Sequence, residues 1–123
     1  MGKIDYVIAM VSDMKRSVAF YRDVLGFPVK FESPHWSEFS NQGSALALHP
    51  TAKANPETPT GRPFPAGHCH LGFTVDDLDV FHRRMESHGV RCIQPPKMED
   101  FGSRLAIYAD PDGLPISVGE QKK

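Results

Sequence analysis

Residues 11–27 read VSDMKRSVAFYRDVLGF, and they predict a helix between an aspartate and a glycine. Asp13 is a suitable N-cap because its carboxylate can accept hydrogen bonds from the free N–H groups of the next turn. Apolar residues then recur with a helical period, and Gly26 follows where a left-handed residue readily ends a helix. The preceding run from Ile4 to Val11 is rich in β-branched residues and predicts a strand.

The same pattern returns later in the chain. Residues 70–78 read HLGFTVDDL, in which Val75 and Asp77 follow Val11 and Asp13 by 64 residues. Apolar residues at helical spacing after Asp77 predict a second helix, which a glycine again ends. Three short extended runs follow each helix, at 28–32, 35–40 and 45–49 in the first copy and at 90–94, 103–109 and 114–119 in the second. The order β-α-β-β-β therefore occurs twice, as an internal repeat.

Proline marks the boundary between the two copies. The chain has 11 prolines in 123 residues, and five of them fall between positions 50 and 65. A stretch of this composition lacks backbone donors and apolar periodicity, so it predicts a semi-rigid connector. We therefore expect one domain over residues 1–123, with a first module at 3–49, a Pro-rich connector at 50–66 and a second module at 67–120.

The composition excludes several classes of function. The formal net charge is −1, from 14 Lys and Arg against 15 Asp and Glu, which gives no electrostatic footprint for nucleic acid or for an anionic membrane, so we expect neither as a partner. The first apolar run is too short for a membrane span or a signal peptide. The two cysteines, Cys69 and Cys92, have no C-x-x-C spacing and make no disulfide framework. We expect a cytoplasmic protein.

Three stretches together resemble the vicinal oxygen chelate superfamily: residues 11–27, residues 70–78 and the Asp-Pro-Asp-Gly turn at 110–113. This superfamily includes glyoxalase I, bleomycin-binding (bleomycin resistance) proteins, fosfomycin-resistance enzymes and extradiol dioxygenases. The resemblance implies an α+β fold, in which two tandem βαβββ modules form curved mixed sheets around a cavity with the helices outside. It also implies a homodimer and a small-molecule ligand.

Strand alternation indicates which residues face the predicted cavity. If Leu71, Phe73 and Val75 lie under a helix, their neighbours in sequence face the ligand. The same argument for the other strands, with the aromatic side chains that could stack on a planar molecule, gives nine candidate ligand-binding residues: Tyr6, Trp36, Ala47, His49, His68, His70, Arg104, Tyr108 and Ser117. A one-residue slip in register would move a strand's candidates to the opposite face.

Metal-dependent members of the family carry one ligand on the first and last strand of each module. The matching positions here are Tyr6, Ala47, His70 and Ser117, of which only His70 is a good ligand. We therefore expect no metal cofactor. The alternative is a divalent ion (Zn, Ni, Fe or Mn) held by His70 with His68 and His49, although a His-x-His pair more commonly forms a polar cavity wall.

These observations leave several functions open. The favoured hypothesis is a protein that binds a small anionic or aromatic molecule without metal, with Arg104 contacting either a ligand anion or an internal carboxylate. The alternative is an enzyme, either a lyase of the glyoxalase I type or a dioxygenase, that uses a metal at His70. A third possibility is metal-free acid–base catalysis by His70 and Tyr6.

Overall fold

The computed structural model describes residues 2–40, 42–52, 66–100 and 102–121. The chain divides into two compact units, Met1–Asn55 and Pro56–Lys123, which contain the first and the second module respectively. Most of the predicted connector at 50–66 lies outside the described residues.

The first module forms one mixed four-stranded sheet with a helix. Its elements are β1 (Tyr6–Val11), α1 (Met14–Ala19), a π-helical turn (Phe20–Val24), β2 (Val29–Phe31), β3 (Ser37–Phe39) and β4 (Ala45–Pro50). The strand order is β1-β4-β3-β2. The first and last strands pair in parallel, and the remaining pairs are antiparallel.

The second module repeats this topology. Its elements are β5 (Leu71–Val75), α2 (Leu78–Ser87), β6 (Cys92–Met98), β7 (Arg104–Ala109) and β8 (Pro115–Glu120). The strand order is β5-β8-β7-β6, again with a parallel pair of first and last strands and antiparallel pairs beyond it. The predicted α+β fold with two tandem βαβββ modules and mixed sheets is confirmed.

Both helical segments begin after the predicted aspartate and are followed by the predicted glycine, although α1 itself ends at Ala19 and continues as the π-helical turn to Val24. The Asp13 carboxylate accepts a hydrogen bond from the Arg16 backbone N–H at 3.0 Å, and Asp77 accepts one from Val80 at 3.1 Å. The glycines that follow the helices, Gly26 and Gly89, have φ of +86° and +68°, the left-handed conformation that glycine adopts without strain. In the part of the chain that the structure describes, no helix has the length and apolar character needed to cross a membrane.

Each helix packs on one face of its own sheet. In the first module the ring of Tyr21, which is fully buried, lies 5.8 Å from that of Phe39 on β3. In the second module the ring of Phe81 on α2 contacts Phe73 on β5 and Tyr108 on β7. We call the opposite face of each sheet its open face.

Candidate functional site

The open face of the first module carries side chains from β1 and β4. Tyr6, Ile8 and Met10 lie opposite Ala45, Ala47 and His49 in the parallel register, so all six side chains share one face. Tyr6, Ile8 and Met10 are 49%, 43% and 52% exposed, whereas Ala9 and Val11 between and after them are buried. These side chains of β1 and β4 therefore lie on the open face of the sheet.

Three of the candidate ligand-binding residues form an aromatic cluster in this module. The ring of Trp36 lies 5.7 Å from that of Tyr6 and 6.3 Å from that of His49, in both cases edge to face. The indole Nε1 donates a hydrogen bond to Glu38 Oε1 at 2.9 Å, which fixes the orientation of the ring. Since Tyr6 and His49 are exposed and Trp36 is half-buried, the aromatic cluster (Tyr6, Trp36 and His49) offers ring surface to a planar molecule.

Glu38 is a member of this site that the sequence does not assign to a face. Its strand, β3, has only three residues, too few for the alternation to be read. The ladder places Glu38 opposite Ala47, and therefore on the open face with Ile8. Its second carboxylate oxygen lies 3.8 Å from Lys30 Nζ. The aromatic cluster thus has a carboxylate and an ammonium group beside it.

The four positions that match the family's metal ligands contain no chelating set. In the first module, Tyr6 lies opposite Ala45, and Ala47, opposite Ile8, has a methyl side chain without a donor atom. In the second module, His70 Nε2 and Ser117 Oγ lie 2.8 Å apart and hydrogen-bond to each other. A ring nitrogen engaged in this way is not free for an ion while the bond persists, and a neutral serine hydroxyl is a poor ligand.

The alternative metal site, with His70, His68 and His49 as ligands, also lacks support in the geometry. His49 Nδ1 lies 2.9 Å from the carbonyl oxygen of Pro50, with which it can form a hydrogen bond. Among the described residues, no group of three or more His, Cys, Asp and Glu side chains is arranged to hold a metal ion. The residues at these positions do not fit the metal that the family resemblance implies.

Two candidates lie on the opposite face from the one predicted. On β7, Tyr108 pairs with Ile116 and Ile107 pairs with Ser117, so Ile107 shares the face of the His70–Ser117 pair and Tyr108 faces the helix. The prediction that Tyr108 and Arg104 lie on the same face as His70 is wrong. Leu105 to Ala109 are apolar on both faces, so their alternation cannot set the register, which the pairing with β8 determines.

Tyr108 is part of the core of the second module. It is 1% exposed, and its hydroxyl lies 2.8 Å from Nδ1 of His82 on α2. Burial raises the pKa of Tyr108 above its usual range because the phenolate would be poorly solvated there. The phenol therefore stays protonated and anchors β7 to the helix.

Arg104 meets internal carboxylates. Its guanidinium donates to both oxygens of Asp79 at 2.7 and 3.3 Å, and it lies 3.5 Å from Glu120. The hydrogen bond from Arg104 holds the pKa of Asp79 below its usual range. Of the two partners predicted for Arg104, the structure shows the internal carboxylate.

A cavity of about 410 Å³ surrounds this ion pair, and the sequence analysis does not predict it. Its lining is mostly polar and acidic: Asp76, Asp77, Asp79, Met98, Gly102, Ser103, Arg104, Glu120 and Gln121. Two of these carboxylates, Asp77 and Glu120, accept hydrogen bonds from the first backbone N–H groups of α2. Arg104 is the only predicted ligand-binding residue in this lining.

Comparison with known proteins is consistent with this architecture. The YaeR protein of Escherichia coli K12, itself uncharacterized, is 33% identical over an alignment of 129 positions that covers 98% of each chain. The phenazine antibiotic resistance protein EhpR of Enterobacter agglomerans is 29% identical over 117 residues, covering 90% of this chain and 86% of EhpR. The crystal structure of a lactoylglutathione lyase from Agrobacterium tumefaciens matches with a TM-score of 0.73 and 26% identity, over 98% of this chain and 94% of that one.

A sequence model of the Glyoxalase/Bleomycin resistance protein/Dioxygenase superfamily matches residues 3–118. This range covers nearly all of both modules and every one of the nine predicted ligand-binding residues. The chain therefore belongs to the Glyoxalase/Bleomycin resistance protein/Dioxygenase superfamily.

Proposed function

We propose that the protein binds a small planar aromatic molecule on the open face of the first module and that it does so without a metal ion. The observation that carries this proposal is the aromatic cluster, in which a hydrogen bond to Glu38 holds the Trp36 ring between Tyr6 and His49. Stacked aromatic pairs contribute about 0.5–1.5 kcal/mol beyond the area they bury. Similarity to a phenazine resistance protein supports a ligand of this class.

The proposal favours an aromatic over an anionic ligand. An anionic ligand was expected because Arg104 could contact it. In the structure, the Arg104 guanidinium pairs with Asp79 and Glu120 instead. On the open face of the first module the Glu38 carboxylate lies beside the indole and 3.8 Å from Lys30 Nζ, so the positive charge there is already matched by a carboxylate and offers an anion little attraction. A neutral or cationic planar ring system suits these surroundings better.

Binding can be tested through Trp36, since the chain contains a single tryptophan and all of its indole fluorescence therefore comes from the site. We expect phenazine to quench this fluorescence saturably. Tyr6→Ala should raise the dissociation constant by about two- to tenfold, the equivalent of one lost ring contact. Tyr6→Phe keeps the ring and should bind like the parent protein.

Two results would contradict the binding proposal. One is quenching by phenazine that does not saturate. The other is equally tight binding of perhydroanthracene, a tricyclic molecule of similar size without a π system, measured by its displacement of phenazine, which would show that the face does not select planar aromatic molecules.

The metal-free part of the proposal needs a separate measurement. We expect protein purified without a His tag or chelator to contain far less than one Zn, Ni, Fe or Mn per chain by elemental analysis. A stoichiometric metal that His70→Ala removes would overturn it and would favour the metal-dependent lyase or dioxygenase.

A further inference from the structure

The open face of the second module carries a hydrogen-bonded serine–histidine pair. Ser117 lies on β8, an inner strand, where it is opposite Gly72 on β5 and Ile107 on β7. Ladders on both sides hold its backbone in place. His70 directly precedes β5, and its Nε2 lies 2.8 Å from Ser117 Oγ.

This distance is the one that a serine nucleophile and its base require. A nucleophilic hydroxyl is activated when a neutral imidazole within about 2.6–3.2 Å can accept its proton. In the tautomer with the proton on Nδ1, His70 Nε2 is that acceptor. Ser117 is half-buried and held in the sheet, whereas His70, the base of the pair, is exposed to solvent.

Gly72 leaves the side of Ser117 next to β5 open. Gly72 is exposed, and a methyl group built on it would meet only the Ser117 backbone oxygen at 3.7 Å and Cβ at 3.8 Å, which are ordinary contacts. Its φ is not in the left-handed range. Neither the backbone nor packing therefore requires glycine at this position, and its lack of a side chain gives a small molecule access to the serine hydroxyl.

We propose that Ser117 and His70 form a nucleophile–base pair that hydrolyses small, unhindered carboxylic esters. This activity is distinct from the binding proposed for the first module and does not depend on it. It uses two positions that match metal ligands in the family, and it uses them without a metal.

The reaction proceeds in two balanced halves. Ser117 Oγ forms a bond to the ester carbonyl carbon while its proton passes to His70 Nε2. The bond from that carbon to the alcohol oxygen then breaks, and the alcohol leaves with the electron pair and the proton from the imidazolium. Water next attacks the carbonyl carbon of the acyl-serine while His70 Nε2 accepts its proton. The bond from that carbon to Ser117 Oγ then breaks, and the imidazolium returns the proton to Oγ, which leaves the free carboxylic acid and the serine hydroxyl. No oxidant or reductant is involved.

The test uses 4-nitrophenyl acetate as the probe. All proteins in it carry Cys69→Ala, which removes an exposed thiol next to His70 that could be acetylated on its own. We expect a burst of nitrophenolate, and peptide mass spectrometry after acid quenching should find one acetyl group on Ser117. Ser117→Ala should lose both signals, and His70→Gln should slow acylation by about 100-fold or more.

Two matched variants separate a catalytic from a structural effect. Ser103→Ala removes another serine hydroxyl of the same module and should leave the burst unchanged. Gly72→Val keeps the hydrogen-bonded pair but fills the open side of Ser117, so it should slow acylation, whereas Gly72→Ala should have a much smaller effect. Circular dichroism checks that each variant is folded. An unchanged burst in folded Ser117→Ala, or acetyl groups only on residues other than Ser117, would overturn the proposal.

Discussion

Arg104 lies between two carboxylates of its own module. Its guanidinium forms a bidentate hydrogen bond with Asp79 at the start of α2 and approaches Glu120 at the end of β8. It therefore connects β7 with the helix and with the neighbouring strand. Bidentate pairs of this kind are the geometrically specific form of an ion pair.

Arg104→Ala should lower the free energy of unfolding at pH 7 and leave phenazine binding unchanged. Arg104 depresses the pKa of Asp79 in the folded state, so its contribution is present above the unfolded pKa of about 3.9 and is lost as the pH falls through the folded value. Urea unfolding of the two proteins should differ at pH 7 and converge in acid.

The matched control for this experiment is Arg91→Ala, which removes an exposed arginine of the same module. It should change stability little at any pH. If Arg104→Ala instead weakened ligand binding and left the unfolding curve unchanged, the arginine would bind an anionic group of the ligand. Its ion pair with Asp79 would then not stabilise the fold.

At the residue scale, the face of Tyr6 was predicted from the internal repeat, by analogy with β5. β1 itself is apolar on both faces, so its own alternation could not assign Tyr6, which the structure places opposite Ala45 on the open face. Tyr108 was assigned to the wrong face because apolar residues occupy both sides of its strand. The contact between Trp36 and Glu38 could not be predicted, since it depends on how a three-residue strand pairs with β4.

Among the elements, the two helix starts are equivalent in sequence and in structure. Asp13 and Asp77 have extended backbones and accept a hydrogen bond from the N–H three residues later. This equivalence is one reason why the order of helices and strands could be predicted: the caps and the terminal glycines are local signals that do not depend on tertiary contacts. The π-helical turn after α1 was not predicted, because apolar residues of similar spacing suit either kind of helix.

Removing one of these caps should be measurable. Asp77→Ala deletes the side-chain acceptor at the start of α2 and should lower the free energy of unfolding by about 1 kcal/mol. Asp76→Ala changes the adjacent, exposed carboxylate and should stay within about 0.5 kcal/mol of the parent. Equal losses in the two variants, measured by urea unfolding, would show that the local negative charge matters and the cap hydrogen bond does not.

At the scale of the whole molecule, the first strand of the first module presents exposed apolar surface at a sheet edge. Ile4 is 74% exposed, and Tyr6, Ile8 and Met10 are each more than 40% exposed. Edge strands with apolar side chains readily pair with or pack against another chain. The family resemblance implies a homodimer, and we propose that this surface forms its contact.

We therefore expect sedimentation equilibrium to give twice the mass of the chain. Ile4→Lys combined with Ile8→Lys should shift the protein toward the monomer, because two charges would have to be buried in the contact. Val80→Lys alters an exposed apolar residue on α2 and should leave the mass unchanged. A parent protein that sediments as a monomer at all concentrations would rule out this assembly.

The parallel pairing of the first and last strands of each module has a consequence for protein engineering. Parallel neighbours run in the same direction, so a module begins at one end of its sheet and finishes at the other, separated by the length of a six-residue strand. At about 3.3 Å per residue this is about 20 Å. A single module closed into a circle would therefore need a linker that spans its sheet from end to end, and a two-residue hairpin loop would be too short.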